Sequence, residues 1–149
     1  MPAAPASRNI LHATCVACEA RGLLILGASG SGKSSLALQL LAYGAELVAD
    51  DRVELWREGP SVIAAAPAAI KGLIEARGLG LLNAVASGPI EVAIVVDLDQ
   101  LESDRLPAQI EIDLMGLQLP LFKRVDAPHF APALLQLLKN GALDPDAKS

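Results

Sequence analysis

Hydrophobic positions change their period along this chain, and each change marks an element. Leu23-Leu24-Ile25-Leu26 is a short unbroken apolar run, the pattern of a strand buried on both faces. Ser35 to Ala42 carries leucines three to four apart without a breaker, which predicts a helix that Tyr43-Gly44-Ala45 stops. Upstream, Ile10 to Glu19 reads as a strand ending near Ala20-Arg21-Gly22, so it forms a hairpin with the apolar run. Glu46-Leu47-Val48-Ala49 predicts a strand that runs into Asp50-Asp51. Val53 to Arg57 alternates as a half-exposed strand does, and Glu58-Gly59-Pro60-Ser61 turns it back into Val62-Ile63-Ala64.

The second half continues the pattern. Ile90 to Leu98 is the strongest strand, rich in β-branched residues. Gln109 to Leu114 alternates, and Gly116 to Pro120 is its return arm in a hairpin. Phe130 to Lys139 predicts a helix with Ala133, Leu134, Leu137 and Leu138 along one side and Asn140-Gly141 as its stop. Between these halves, Glu75 and Arg77 lie two apart among glycines, so a strand there would face both the same way.

Together these elements predict an α/β fold: one domain over 1–149, with an ordered core at 8–143 and flexible ends at 1–7 and 144–149. The many hairpin signals predict a mixed rather than purely parallel sheet. Hydrophobic residues make up 52% of the chain and aromatics 3%, so the core is built from Leu, Ala, Val and Ile. A net charge of −5 argues against nucleic acid as a partner, since phosphate backbones need a basic face. No apolar run approaches the roughly 20 residues of a membrane span. The Pro- and Ala-rich start has no long apolar segment, so no membrane association and a cytoplasmic location are expected.

The candidate chemistry centres on Gly27-Ala28-Ser29-Gly30-Ser31-Gly32-Lys33-Ser34, which fits G-x-x-x-x-G-K-[ST] between a predicted strand and a predicted helix. Glycines let successive N–H groups turn inward around phosphate oxygens, and the following helix adds its positive end. Lys33 is expected on the β- and γ-phosphates and the Ser34 hydroxyl on Mg²⁺, which makes this a P-loop nucleotide-binding domain. Asp50-Asp51 at a strand end could divide the labour, one near the metal and one as base for a hydroxyl. Cys15 and Cys18 form a lone C-x-x-C in a strand context, which reads as structural thiols rather than zinc or a redox site. A lone His12 on the first strand reads as packing or surface more often than as a catalytic group.

His12 ahead of a hairpin, GASGSGKSSLALQLL, LVADDRVEL and LIEARGLGLLN occur in this order. The combination resembles the HPr kinase/phosphorylase family, in the compact form that keeps only the catalytic domain. The likeness is strong over about 10–83 and weaker from Ile90 onward. It implies a nucleotide core like that of phosphoenolpyruvate carboxykinase and a serine kinase acting on HPr, a small phosphocarrier protein of the sugar phosphotransferase system. It assigns Gly27 to Ser34 to ATP, Lys33 to catalysis, Ser34 and Glu75 to Mg²⁺, Asp51 to the role of base, and His12 to a place beside that base. Asp104-Arg105-Leu106 resembles the family's Asp-Arg stretch, which makes Arg105 a further catalytic candidate. The family also implies a homo-oligomer, a hexamer.

The chain departs from the family pattern in one segment. A Pro- and Arg-rich P-x-R-P-G-R-N motif associated with dephosphorylation is replaced here by Leu119 to Pro128, where Lys123-Arg124 are the remaining cations. The expectation is therefore kinase activity with weak or absent phosphorylase activity. Two other functions fit the same residues: a P-loop kinase for a small molecule, and an ATP-sensing module that transfers nothing.

Overall fold

Ile90–Leu101, the stretch richest in β-branched residues, is the longest strand and the spine of the fold. The computed structural model describes residues 8–143; the expected flexible ends, 1–7 and 144–149, lie outside the described residues. In chain order the strands are β1 (Asn9–Leu11), β2 (Thr14–Cys18), β3 (Arg21–Leu26), β4 (Glu46–Ala49), β5 (Val53–Glu58) and β6 (Ser61–Ala65). They continue with β7 (Leu73–Ala76), β8 (Gly80–Asn83), β9 (Ile90–Leu101), β10 (Ile110–Leu114) and β11 (Leu117–Arg124). The helices are α1 (Lys33–Ala42) and α2 (Phe130–Asn140).

The sheet is mixed, as expected. β9 pairs in parallel with β3 along one edge. Its other edge carries β6, antiparallel at Ile90 and Glu91, and then β11, parallel from Val95 onward. From β3 the sheet continues to β2 and β4, from β6 to β5 and β1, and from β11 to β10, making nine strands. β7 and β8 form a separate two-stranded hairpin.

Strand alternation sorts the apolar side chains onto two faces. On one face Val16, Leu23, Ile25, Leu47, Ile94 and Val96 pack under Leu36 and Leu40 of α1 and Leu134 and Leu138 of α2. On the other, Cys15, Leu24, Val48 and Val95 pack against Val53, Leu55 and Val62 of β5 and β6 and Leu114 and Leu119 of β10 and β11. Helices therefore cover one face and strands the other. Val92 and Val95, an odd number of residues apart, share a face because the β3–β9 register slips: Gly22 pairs Val92 while Leu23 pairs Ile94. The bulge brings the β9 backbone so close that a Cβ on Gly22 would lie 2.9 Å from the Glu91 carbonyl oxygen.

Three sequence expectations change in detail. The strand expected over Ile10 to Glu19 is two: β1 pairs β5, β2 pairs β3 and β4, and the chain bends between them at His12 and Ala13. The buried side of α2 is Ala131, Leu134, Leu135 and Leu138, with Ala133 exposed, because the helix is rotated to set Leu135 rather than Ala133 toward the core. Arg77 lies in the β7–β8 turn rather than on the strand that carries Glu75. The stop after α1 is as expected: Gly44, at φ 104°, donates to the Leu41 carbonyl while Ala45 donates to Leu40. No helix among the described residues is long and apolar enough to cross a membrane.

Because β3, β9 and β11 run in parallel and α1 and α2 follow β3 and β11, both helices begin at the same edge of the sheet. The carboxyl ends of parallel strands are where an open α/β sheet binds its ligands.

Candidate active site

At that edge Leu26 ends β3 and the chain turns through glycines into α1. Gly30 and Gly32 sit at φ 84° and 102°, a region that side chains rarely adopt. A Cβ on Gly27 would run into the Ser31 hydroxyl. Lys33 opens α1 and is 7% exposed; its Nζ donates to the Gly27 carbonyl at 2.8 Å and the Ala28 carbonyl at 3.1 Å. The ammonium is thus folded back over the loop and held by main-chain oxygens.

The two aspartates after β4 occupy different worlds. Asp50 is 5% exposed and accepts from three elements. The Ser34 hydroxyl donates to its Oδ1 at 2.7 Å, the Thr14 hydroxyl to the same oxygen at 2.9 Å, and the Glu75 N–H to Oδ2 at 3.0 Å. Asp51 is exposed and left-handed, at φ 70°, a conformation that costs a side-chain residue energy and recurs at functional sites. Its Oδ1 lies 3.1 Å from His12 Nδ1, which is exposed as well. The β1–β5 ladder produces this meeting: Leu11 pairs Val53, and the next residues outward on the two strands lead to His12 and Asp51.

One cleft of about 320 Å³ gathers these groups. Ser29, Gly30, Gly32, Lys33 and Ser34 line it together with His12, Asp51, Glu75 and Arg77. The sequence-predicted His12, Lys33, Ser34, Asp51 and Glu75 therefore come together. Gly27, Ala28 and Ser31 shape the loop without lining the cleft. Arg105 is not brought in: it lies in the exposed loop 102–109 between β9 and β10, outside the cleft's lining.

Two contributors, Thr14 and Asp99, were not singled out in the sequence. Asp50 was expected to divide a metal-side role and a base role with Asp51, and its burial is a tertiary fact. Thr14 is buried in β2, and nothing in a T-C-V-A-C strand marks its hydroxyl. Asp99 accepts the Ala28 N–H through both carboxylate oxygens, at 3.1 and 2.9 Å. The alternation Asp97-Leu98-Asp99 at the end of the strongest strand was its signal. The two cysteines are free, and lying three apart on β2 they face opposite sides of the sheet. Burial pushes the Cys15 thiol up to about 12, which keeps it protonated and unreactive.

Strand, glycine loop, buried lysine and a hydroxyl tied to a strand-end aspartate define a P-loop phosphate-binding domain. The chain belongs to a specific family of such domains: residues 4–109 match the model of the HPr Serine kinase C-terminal domain. The HPr kinase/phosphorylase of Listeria welshimeri is 37% identical over 111 residues, which cover 69% of this chain and 36% of that protein. That of Cupriavidus necator is 35% identical over 130 residues, covering 79% and 40%. The chain thus spans less than half the length of the curated relatives it matches. The solved Hpr(Ser) kinase/phosphatase from Coxiella burnetii shares the fold, with a TM-score of 0.75 and 24% identity, over 89% of this chain and 95% of that one.

The contrast between neighbours makes a stability prediction. Asp50→Ala removes the acceptor from two hydroxyls and one N–H, and is expected to cost on the order of 2–4 kcal/mol in urea unfolding. Asp51→Asn keeps a residue type that tolerates the left-handed region, so its midpoint should move by less than about 0.5 kcal/mol. Equal losses would show that Asp50 is not the buried tie described.

Proposed function

We propose that this chain is an ATP- and Mg²⁺-dependent serine kinase domain that phosphorylates HPr in the cytoplasm. The observation that carries the reading is the sharing of one cleft by the P-loop Lys33 and Ser34 and the exposed His12–Asp51 pair. An ATP sensor needs the loop but has no use for a positioned base. The names of the Listeria and Cupriavidus relatives support HPr as acceptor.

Ser34 and Glu75 present oxygen donors to the cleft, and no group of three or more His, Cys, Asp or Glu converges among the described residues. That set fits Mg²⁺, which takes one or two carboxylates and completes its shell with phosphate oxygens and water. Ser34 and Glu75 would hold it, Asp50 would orient Ser34 from behind, and the bound ion would neutralise charge on the phosphates. Asp51 would accept the seryl proton as the seryl oxygen bonds to the γ-phosphorus and the bond to the β–γ bridging oxygen breaks, releasing ADP. Asp50 is less suited to that task, since three donors occupy it and solvent is excluded. His12, against Asp51 Oδ1, would fix which carboxylate oxygen faces the acceptor.

Transfer of labelled phosphate from ATP to purified HPr tests the reading. Lys33→Ala is expected to abolish transfer with the fold intact. Asp51→Asn is expected to lose about 10²–10⁴-fold in turnover with nucleotide affinity nearly unchanged. Absence of transfer by the wild-type chain to HPr would overturn the assignment, and equal losses in affinity and turnover would move Asp51 to the metal.

The reverse reaction must hold inorganic phosphate beside a phosphoserine, and two close anions need extra cations. Arg124 is already committed: its Nη1 donates to the Leu98 carbonyl at 2.7 Å and its Nε to Asp126 at 2.8 Å. Serine-phosphorylated HPr with Mg²⁺ and excess phosphate is therefore expected to release pyrophosphate far more slowly than the forward reaction runs. Comparable rates would refute this.

For assembly we propose a homo-oligomer, a hexamer as the family resemblance implies. Leu79, Leu81 and Val85 are 81%, 70% and 71% exposed in and beside the β7–β8 hairpin, apolar surface that a second copy could cover. Light scattering at micromolar concentration should show a species larger than the monomer; a monomer alone would contradict it.

A further inference from the structure

A glycine-rich loop is free to move unless something outside it holds it. In this loop the internal tie is the Ser31 N–H to the Ala28 carbonyl, at 3.0 Å. Two side chains add to it. Lys33 grips the Gly27 and Ala28 carbonyls, and Asp99 takes the Ala28 N–H in a forked bond. The first grip is lost when Lys33 turns its ammonium toward a phosphate. The Asp99 bond then remains as the side-chain tether on the loop's first arm.

The position of Asp99 is built rather than incidental. β11 pairs Lys123 with Asp97 and Arg124 with Leu101, so residues 98–100 of β9 stand out of register as a bulge. Both sides of that bulge are fastened. Asp97 accepts the Asp99 N–H at 2.9 Å and the Gln100 Nε2 at 2.7 Å. Arg124 donates to the Leu98 carbonyl while Asp126 holds its Nε. A regular strand would alternate past the loop; the bulge aims a carboxylate at it. The register Leu26–Asp97–Lys123 across three parallel strands puts this bulge level with the start of the glycine loop.

We propose that Asp99 is a positioning residue for the nucleotide-binding loop, aimed by the Asp97–Arg124 bulge, and that it sets the affinity for the polyphosphate without taking part in transfer. The proposal rests on the loop's role in phosphate binding given above. A carboxylate–amide bond is charge-assisted and stronger than a neutral one. Its loss leaves Gly27 and Ala28 free when Lys33 departs, and the bound state then has to order them.

The test is calorimetric titration of Mg²⁺–ADP into the full chain, with thermal unfolding measured in parallel. Asp99→Ala is expected to weaken ADP binding about tenfold and to raise the KM for ATP by a similar factor, with kcat and the melting temperature nearly unchanged. Asp99→Asn keeps an acceptor oxygen and should restore most of the affinity. Arg124→Lys should lose affinity in the same direction, and the double variant Asp99→Ala/Arg124→Lys should lose no more than Asp99→Ala alone, since both act through one bond. Wild-type affinity in Asp99→Ala would overturn the proposal, as would tighter binding in both Asp99 variants, which would make the carboxylate a repeller. Additive losses in the double variant would sever Arg124 from it. Failure of the wild-type chain to bind ADP would instead remove the phosphate-loop reading beneath it.

Discussion

The arrangement of the cleft hangs on one buried carboxylate, that of Asp50. Asp50 gathers a hydroxyl from β2, a hydroxyl from α1 and a main-chain N–H from β7 onto two oxygens. Those elements are remote in sequence and belong to different parts of the fold: the sheet, a helix on its face, and a hairpin off the sheet. Burying an ionised group is costly unless it is fully hydrogen-bonded, so the carboxylate admits only arrangements in which all three donors arrive. That requirement fixes Ser34 at the start of α1 and Glu75 at the cleft wall. The loop between Leu26 and Lys33 then spans two fixed ends.

The adjacent residue shows why two neighbouring aspartates are needed. A group tied by three donors is a good strut and has little left to offer an incoming partner. Asp51 escapes that environment because the chain turns left-handed at its own Cα, which swings its side chain out of the core and toward His12. The pair is delivered by the edge strand β1, three residues long, laid against β5. Arg8 adds an ion pair with Glu54 at 3.1 Å and stacks 4.2 Å above the Trp56 ring, so the outer end of this ladder is pinned as well.

Much of this was legible in the chain because it is local. The glycine loop, the helix stop at Gly44 and the hairpins at Gly59 and Gly116 depend on residues within a few positions of one another. The mixed sheet followed from the abundance of hairpins. What could not be read was parity and partnership. One apolar stretch became β1 and β2 because its halves have different neighbours. Arg77 left the strand it seemed to share with Glu75 because a tight turn was needed there, and both still reach the cleft. The separation of Asp50 from Asp51, and the aim of Asp99, depend on a left-handed residue and a register slip. Neither leaves a mark in hydrophobic spacing.

The charge in the cleft carries the last step. Lys33 and Arg77 line the cleft with Asp51 and Glu75, two cations and two carboxylates, and the buried Asp50 lies behind Ser34. A polyphosphate entering this space meets carboxylates at short range, where water screens them less than on an open surface. Backbone N–H groups and the end of α1 oppose that repulsion only partly. A divalent cation changes the sign of the problem: the same carboxylates that repel the phosphates attract the ion that accompanies them. Carboxylates beside a glycine loop therefore favour a phosphate that arrives with a divalent cation over one that arrives alone.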